Sequence, residues 1–404
     1  MRLACMLAAL HSDLIFINFF PSKLAYNGII DIYRYIFENF GGDKIVWSYY
    51  PPLTYLVLGA FQFIFKPLEG GFYNWIQQVY SSGCDKWLIA NGVSFDFFKY
   101  LFLMKLPYAA FDCLCIIVMM KFVDEKRQKM NALKLWSFSP VLLYGVYMFG
   151  QIDIMPASLA LVSVLLFKEK RNRWGFFLLS MAALFKTYTI LLILPFLVMF
   201  SRSWRDLAKN LAAAAVPFIF ILLPYYISSR GYVINSIFPR FYVADVTAGS
   251  WQYVQKAIFL GLYLFLLFAC HKSARKGEGM PVLVVSISTL MILYTLFFVP
   301  VHYFVWVTPF LILAVCLKFV PAWLYYFQML CLFTYSLNGA GTTTGLLAPL
   351  NPGFFLGLPG LPDMFHQLNI RWGMVMLSAR LVFTAICVLV AMELIGGLKC
   401  RILK

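Results

Sequence analysis

Residues 174–200 form a run of 27 in which Lys186 is the only charged side chain. Runs of this kind recur along the chain, and they restrict the fold more than any other feature. A helix needs about 20 mostly apolar residues to cross a bilayer. Apolar segments near 99–121, 133–149, 153–168, 174–187, 188–200, 209–228, 253–270, 281–300, 303–318, 322–337 and 373–396 are therefore read as spans. A transmembrane β-barrel would instead show short alternating segments. With 62% hydrophobic and 12% charged residues over 404 positions, too little polar surface remains for a soluble domain. The expected class is an all-α integral membrane protein of one polytopic domain, residues 1–404. Residues 1–10 are apolar but rise only about 15 Å as a helix, so they are expected to be a half-span or a truncated first helix.

The formal charge of +16 does not point to nucleic acid, because its distribution follows membrane topology. Segments 121–134, 168–173, 201–209, 271–278, position 318 and 399–404 hold 19 Lys and Arg. The alternating and longer stretches 11–98, 229–252 and 338–372 hold 8. Basic residues concentrate in cytoplasmic loops, so the first group is expected inside. With the first segment counted, about 11–12 transmembrane helices result. The organisation then reads as a long first external loop (11–98), a transmembrane module (99–228) and a C-terminal module (229–404). Residues 52–67 are apolar enough to suggest another span. A crossing there would put the five basic residues of 121–134 outside, so 52–67 is read as an interfacial helix within the external loop. The spanning alternative requires a second, unrecognised crossing. The nine cysteines lie mostly in apolar runs and form no disulfide pattern. No metal motif or phosphate-cradling glycine loop occurs, so no metal and no cofactor is expected.

On this topology several polar residues converge on the outer face. Asp13 follows the first apolar segment directly and is a candidate general base, or else a solvated helix-end carboxylate. Asp153, after Gly150 and Gln151 where two spans meet, is a second candidate, or an N-cap for the following helix. Tyr50 and Pro51 stand in SYYPPLTY (48–55), where paired prolines stiffen the turn. Lys186 is costly in lipid unless it has a partner. It reads as a phosphate contact or as a snorkelling lysine. His302 reads as a ligand contact or a structural hydrogen-bonder. Asp31, Asp43, Asp245, Arg240 and Arg371 lie on the same side, with Asp31 and Asp43 in more polar, solvated surroundings. Arg371 and Arg380, nine apart, cannot share a helix face. Lys105 and Asp112, seven apart, can, and read as supports of the bundle.

The ordered set HSDLIFINFF, SYYPPLTYL, MKLPYAAFD (104–112), GQID (150–153), LFKTYTILLILP (184–195) and VHYFVWVTPFL (301–311) resembles the GT-C superfamily of polyprenyl-phosphate-sugar glycosyltransferases. The likeness is greatest to bacterial and archaeal relatives of the second GPI mannosyltransferase, and to the ER glucosyltransferases that extend the dolichol-linked N-glycan precursor. It covers residues 11–200 well and the remainder loosely. It implies a GT-C-type bundle with interfacial helices in the first external loop. It also implies inverting transfer of a hexose, mannose or glucose, from a polyprenyl- or dolichyl-phosphate donor to a lipid-linked or glycan acceptor. The site would face the lumen of the ER or the exterior of a bacterial or archaeal cell. Asp13 and Asp153 would then be catalytic, Lys186, His302 and Arg371 would bind the donor phosphate, and Tyr50, Pro51 and Gln151 would support the acceptor and its loop. Two features depart from the pattern: the residues ahead of Asp13 are few for a first span, and Tyr303 follows His302 where the family has His-Glu. The alternative function is a lipid-linked-oligosaccharide flippase, which predicts charges at mid-membrane and internal repeats. Membrane lipids are the remaining partner; nucleic acid is not one.

Overall fold

A computed structural model describes residues 1–40, 50–68, 70–229, 249–275, 281–296, 298–337 and 339–402. The expectations for Asp43, Arg240 and Asp245 lie outside the described residues, as do Tyr49 of SYYPPLTY and Lys276 and Lys404 of the basic segments. Among the described residues every regular element is helical.

The N-terminal hundred residues depart most from expectation. Helix α1 (Arg2–Ala8) and helix α2 (Ser12–Asn27) meet at an 80° bend. Segment 11–98, read as a loop with one interfacial helix, is instead mostly helical. It contains α2, then α3 (Ile32–Phe40), α4 (Pro52–Phe65), α5 (Phe72–Ser82) and α6 (Cys84–Asn91). The local causes are legible. Gly28, at φ 69°, ends α2 in the left-handed region. Pro52 starts α4 at a position where its missing N–H costs nothing. Helix α4 packs along α2, where Gln62 donates to both the backbone and the side-chain oxygen of Asn18, each at 3.1 Å. Its 14 residues rise about 21 Å, short of a hydrocarbon core of roughly 30 Å.

Helix α7 (Phe95–Phe122) is the first long span. Ser94 caps it, Asp96 stands in its first turn and Lys121 in its last, each placed to suit the helix dipole. The basic stretch 121–134, read as a connection, is largely helix α8 (Lys126–Ser137). The expected span 133–149 is not continuous. Pro140, which cannot sit inside a helix without breaking its bonding, opens the short α9 (Pro140–Leu142), and a π-helical turn follows over Leu143–Met148. Next come α10 (Ile154–Lys168), α11 (Asn172–Ala183), α12 (Ile190–Phe200), α13 (Trp204–Pro217) and α14 (Leu223–Ser228). The apolar run 174–200 is thus folded into a hairpin that breaks at Lys186, whose backbone is extended. The remainder is α15 (Gly249–Arg275), α16 (Val282–Leu296), α17 (Thr308–Cys316), α18 (Ala322–Ser336), α19 (Pro352–Phe355), α20 (Leu361–Gln367) and α21 (Trp372–Ile402).

By length and apolarity, four helical stretches among the described residues suffice to cross a membrane: Phe95–Phe122, Trp204–Ser228, Lys256–Arg275 and Trp372–Leu394. Counted together as one span, the bent α1–α2 pair would be a fifth. Helix length therefore supports an all-α membrane protein with fewer single-helix crossings than the apolar runs imply. Pro140 and a π-turn divide the segment expected at 133–149, and extended Lys186 divides 174–200.

Candidate functional site

Asp13 owes its place to the break between α1 and α2. His11 caps α2, its Nδ1 accepting the Asp13 N–H at 3.2 Å. The same nitrogen lies 3.4 Å from the Asp13 carboxylate. Lys105 of α7, fully buried, donates to the carbonyls of Cys5 and Ala9 at the end of α1. Two turns further along α7, Asp112 holds Arg2 in an ion pair and also accepts from Trp136 and Tyr147. Lys105 and Asp112 thus grip α1 from one face of α7. On the other side Leu10 N–H donates to the carbonyl of Leu346 at 2.8 Å.

The turn at 149–153 meets Asp13. Gly150 has φ 80°, and an added Cβ would come within 2.9 Å of the Leu14 side chain. Only glycine permits both the backbone conformation and this approach. Gly145, in the π-turn, likewise leaves room for His302, whose Cα would lie 3.0 Å from an added Cβ. The turn carries Gln151, which donates to Asp13 Oδ2 at 2.6 Å and lies 3.5 Å from the Tyr50 hydroxyl. Tyr50 is held at both backbone ends: its N–H donates to Tyr55 Oη at 2.9 Å and its carbonyl accepts from Tyr33 at 2.6 Å. Pro51, buried, precedes α4, whose Leu53 and Thr54 bond to the carbonyls of Leu184 and Phe185, just before Lys186. The YPPL element is therefore the piece that joins Gln151 to Lys186.

Asp153 is wholly buried at the start of α10. Its Oδ1 accepts from Lys186 at 2.7 Å and from the indole of Trp306, while its Oδ2 has no hydrogen-bond partner. The Lys186 ammonium lies 4.4 Å from the centre of the Tyr303 ring and 5.5 Å from that of Trp306. Tyr188 stacks on Trp306 at 3.9 Å. The hydroxyl of Tyr188, also buried, is without a partner. Orphan buried polar atoms are uncommon and call for a ligand, a water or an ion. Asp153 takes the N-cap position of α10, as the sequence allowed, but its side chain makes no cap bond.

His302 lies in the short 3-10 turn Val301–Trp306. Its ring stacks on Phe149 at 5.2 Å, and His11 stacks on Phe149 at 3.6 Å. Burial, then Lys186 and His11, push the His302 imidazole well below its usual value. It is thus a neutral donor or acceptor rather than a cation. Arg371 is exposed and lines a separate shallow cavity with Asp363, His366 and Trp372. It makes no side-chain contact with the cluster, whereas Arg380 is the inward member of the pair and donates to Tyr335 and the Tyr294 carbonyl. Asp31, expected in solvent, accepts from Ser229 at 2.8 Å. Asp13, Gln151, Tyr50, Asp153, Lys186 and His302 come together; Arg371 does not join them. The residues overlooked are His11, Phe149, Tyr303 and Trp306. Trp306 stands four positions after His302 in the same VHYFVWVTPFL element, which was the available signal.

No family model, curated protein or solved structure matches the chain. Among the described residues no group of three or more His, Cys, Asp or Glu is placed to hold a metal ion.

Proposed function

We propose that the chain is an inverting glycosyltransferase of GT-C type, with about 11–12 membrane segments once broken helices are counted. It moves a hexose from a polyprenyl- or dolichyl-phosphate to an acceptor hydroxyl at the extracytoplasmic face. The observation that carries the reading is the placing of two unlike carboxylates at one cluster, Asp13 bonded to Gln151 and Asp153 to Lys186, whose ammonium lies 6.0 Å from the Tyr50 ring centre. The Asp13 side chain is 39% exposed and tethered by a neutral amide. Asp153 is sealed and ion-paired. A general base must meet an incoming hydroxyl and then release its proton to solvent, which suits Asp13. In the step, the acceptor oxygen bonds to the sugar C1 as its proton passes to Asp13. The C1–O bond to phosphate breaks, and the lipid phosphate leaves with the electron pair. Lys186 spends one of its three N–H donors on Asp153, so the others face the phosphate charge. A neutral His302 donates one hydrogen bond to it. Gln151 and Tyr50 orient the acceptor.

The test is transfer by purified, reconstituted protein from a panel of polyprenyl-phosphate sugars. A positioned base contributes roughly 10²–10⁴-fold, so Asp13→Asn is expected to lower turnover by that factor while donor binding persists. Near-normal turnover in Asp13→Asn with loss in Asp153→Asn would reverse the two roles. Movement of intact lipid-linked sugar across the bilayer without transfer would favour a flippase.

A further inference from the structure

A second cavity lies at the other end of the bundle. Helix α10 begins beside Asp153 and ends at Lys168, 15 residues and about 22 Å away. There the ends of α7, α10, α12 and α17 and the start of α16 surround a cavity of about 980 Å³. That volume is at the upper end of small-molecule sites, roughly 300–1,000 Å³. Its walls are apolar: Phe122, Phe167, Met199, Phe200, Leu283 and Leu317 are among them. Its rim is charged and balanced, with Lys168, Lys170 and Arg202 against Asp124, Glu125 and Asp206.

The six rim charges do not neutralise one another. Among the described residues, none of them is in an ion pair with any other. Lys168 donates to the Phe122 carbonyl at 2.8 Å, and Asp206 accepts from Ser203 at 2.8 Å. Such a rim offers separated positive and negative potential over an apolar interior. A purely anionic head group would meet three carboxylates, and a neutral one would answer neither sign. A zwitterion answers both. One further atom narrows the choice. Asn172, at the start of α11, also lines the cavity, and its Oδ1 is buried with no hydrogen-bond partner. A carbonyl oxygen accepts, so it calls for an N–H or O–H donor. A quaternary ammonium has none.

We propose that this cavity binds a zwitterionic phospholipid with a primary-ammonium head group. The phosphate faces Lys170 and Arg202, the ammonium faces Asn172 Oδ1 and the carboxylates, and an acyl chain lies along the Phe122–Phe200 wall. The site is independent of the transfer chemistry and of its assigned residues.

The experiment is native mass spectrometry of delipidated, detergent-purified protein titrated with four probes. Three are phosphatidylethanolamine, phosphatidylcholine and phosphatidylglycerol of matched chains; the fourth is soluble glycerophosphoethanolamine. The ethanolamine lipid is expected to bind about tenfold more tightly than the other two lipids, the factor that 1.4 kcal/mol represents. Asn172→Leu should erase its advantage over the choline lipid, and Arg202→Gln should weaken both zwitterions. Lys134→Gln, on α8 but not lining the cavity, should change nothing. Equal or tighter binding of phosphatidylglycerol would overturn the proposal. Undiminished ethanolamine-lipid binding in the Asn172→Leu/Arg202→Gln double variant would do the same. Soluble head group binding as tightly as lipid would refute the membrane source, because the apolar walls would then contribute nothing. Arg202 is exposed, so its variant tests the site without a burden on folding.

Discussion

Removing Lys186 should damage the protein far more than removing its partner. Asp153 has no exposed surface, and its Oδ2 is already without a donor. In Lys186→Met only the Trp306 indole remains to serve the carboxylate. Leaving one charge of a buried pair unpaired costs roughly 3–5 kcal/mol. The reverse change, Asp153→Asn, leaves an ammonium whose side chain is 14% exposed and which sits 4.4 Å from the Tyr303 ring. A cation over an aromatic face retains about 0.5–2 kcal/mol, so the loss should be nearer 1–3 kcal/mol, that of a charged hydrogen bond. The double variant removes both charges and should be more stable than Lys186→Met alone. Unfolding in one detergent, followed by the loss of native tryptophan signal, gives the three differences and their coupling.

Additive single-variant losses, or Asp153→Asn worse than Lys186→Met, would refute the pairing as the source of the cost.

Gly150→Ala should destabilise by about 1–3 kcal/mol, because alanine is strained at φ 80° and its Cβ meets Leu14; wild-type stability in the same unfolding assay would argue against the turn. Lys105→Met should free the end of α1 and lower transfer turnover, while Lys105→Arg, which keeps a donor, should recover part of it; proteolysis near residues 9–11 reports the same loosening without substrate. In a cysteine-free background, an impermeant thiol reagent on intact cells should label Ala90→Cys and spare Arg127→Cys; the opposite result reverses the orientation and with it the side of the Asp13 cluster.

Much of the site was legible because membranes penalise idle charges. Lys186 interrupts an apolar run of 27 and proves to be ion-paired, and Lys105 and Asp112 share a face and grip one helix. Arg371 and Arg380 separate as their spacing requires, one exposed and one inward. Helix α2 was missed for a physical reason. Its apolar residues face several directions and its polar ones, Asn18 and Lys23, are buried against Gln62 and Gln77. A helix buried on most sides lacks the one-sided pattern that marks a surface helix. The span at 133–149 was overread because hydropathy is blind to backbone breaks: residues 135–149 carry no charge, yet Pro140 and the π-turn divide them. Trp306 escaped notice because its role depends on a contact 153 positions away in the chain.

Those breaks are also what allow the polar cluster to exist. A continuous helix satisfies its own backbone and presents side chains only sideways, so it brings few polar groups to one point. Here the α1–α2 bend supplies Asp13, the turn after the π-helix supplies Gln151 and Asp153, the α11–α12 hairpin supplies Lys186, and the 3-10 turn supplies His302. Irregular backbone at membrane depth is tolerated where protein or a cavity covers it. Each break here is covered: Lys105 serves the first, Leu53 and Thr54 bond to the third, and Gly145 lets the fourth pack on the second. The four irregular segments are therefore mutually dependent. Stabilising any one as regular helix, for example by replacing Pro140, should withdraw a side chain from the cluster rather than strengthen the fold.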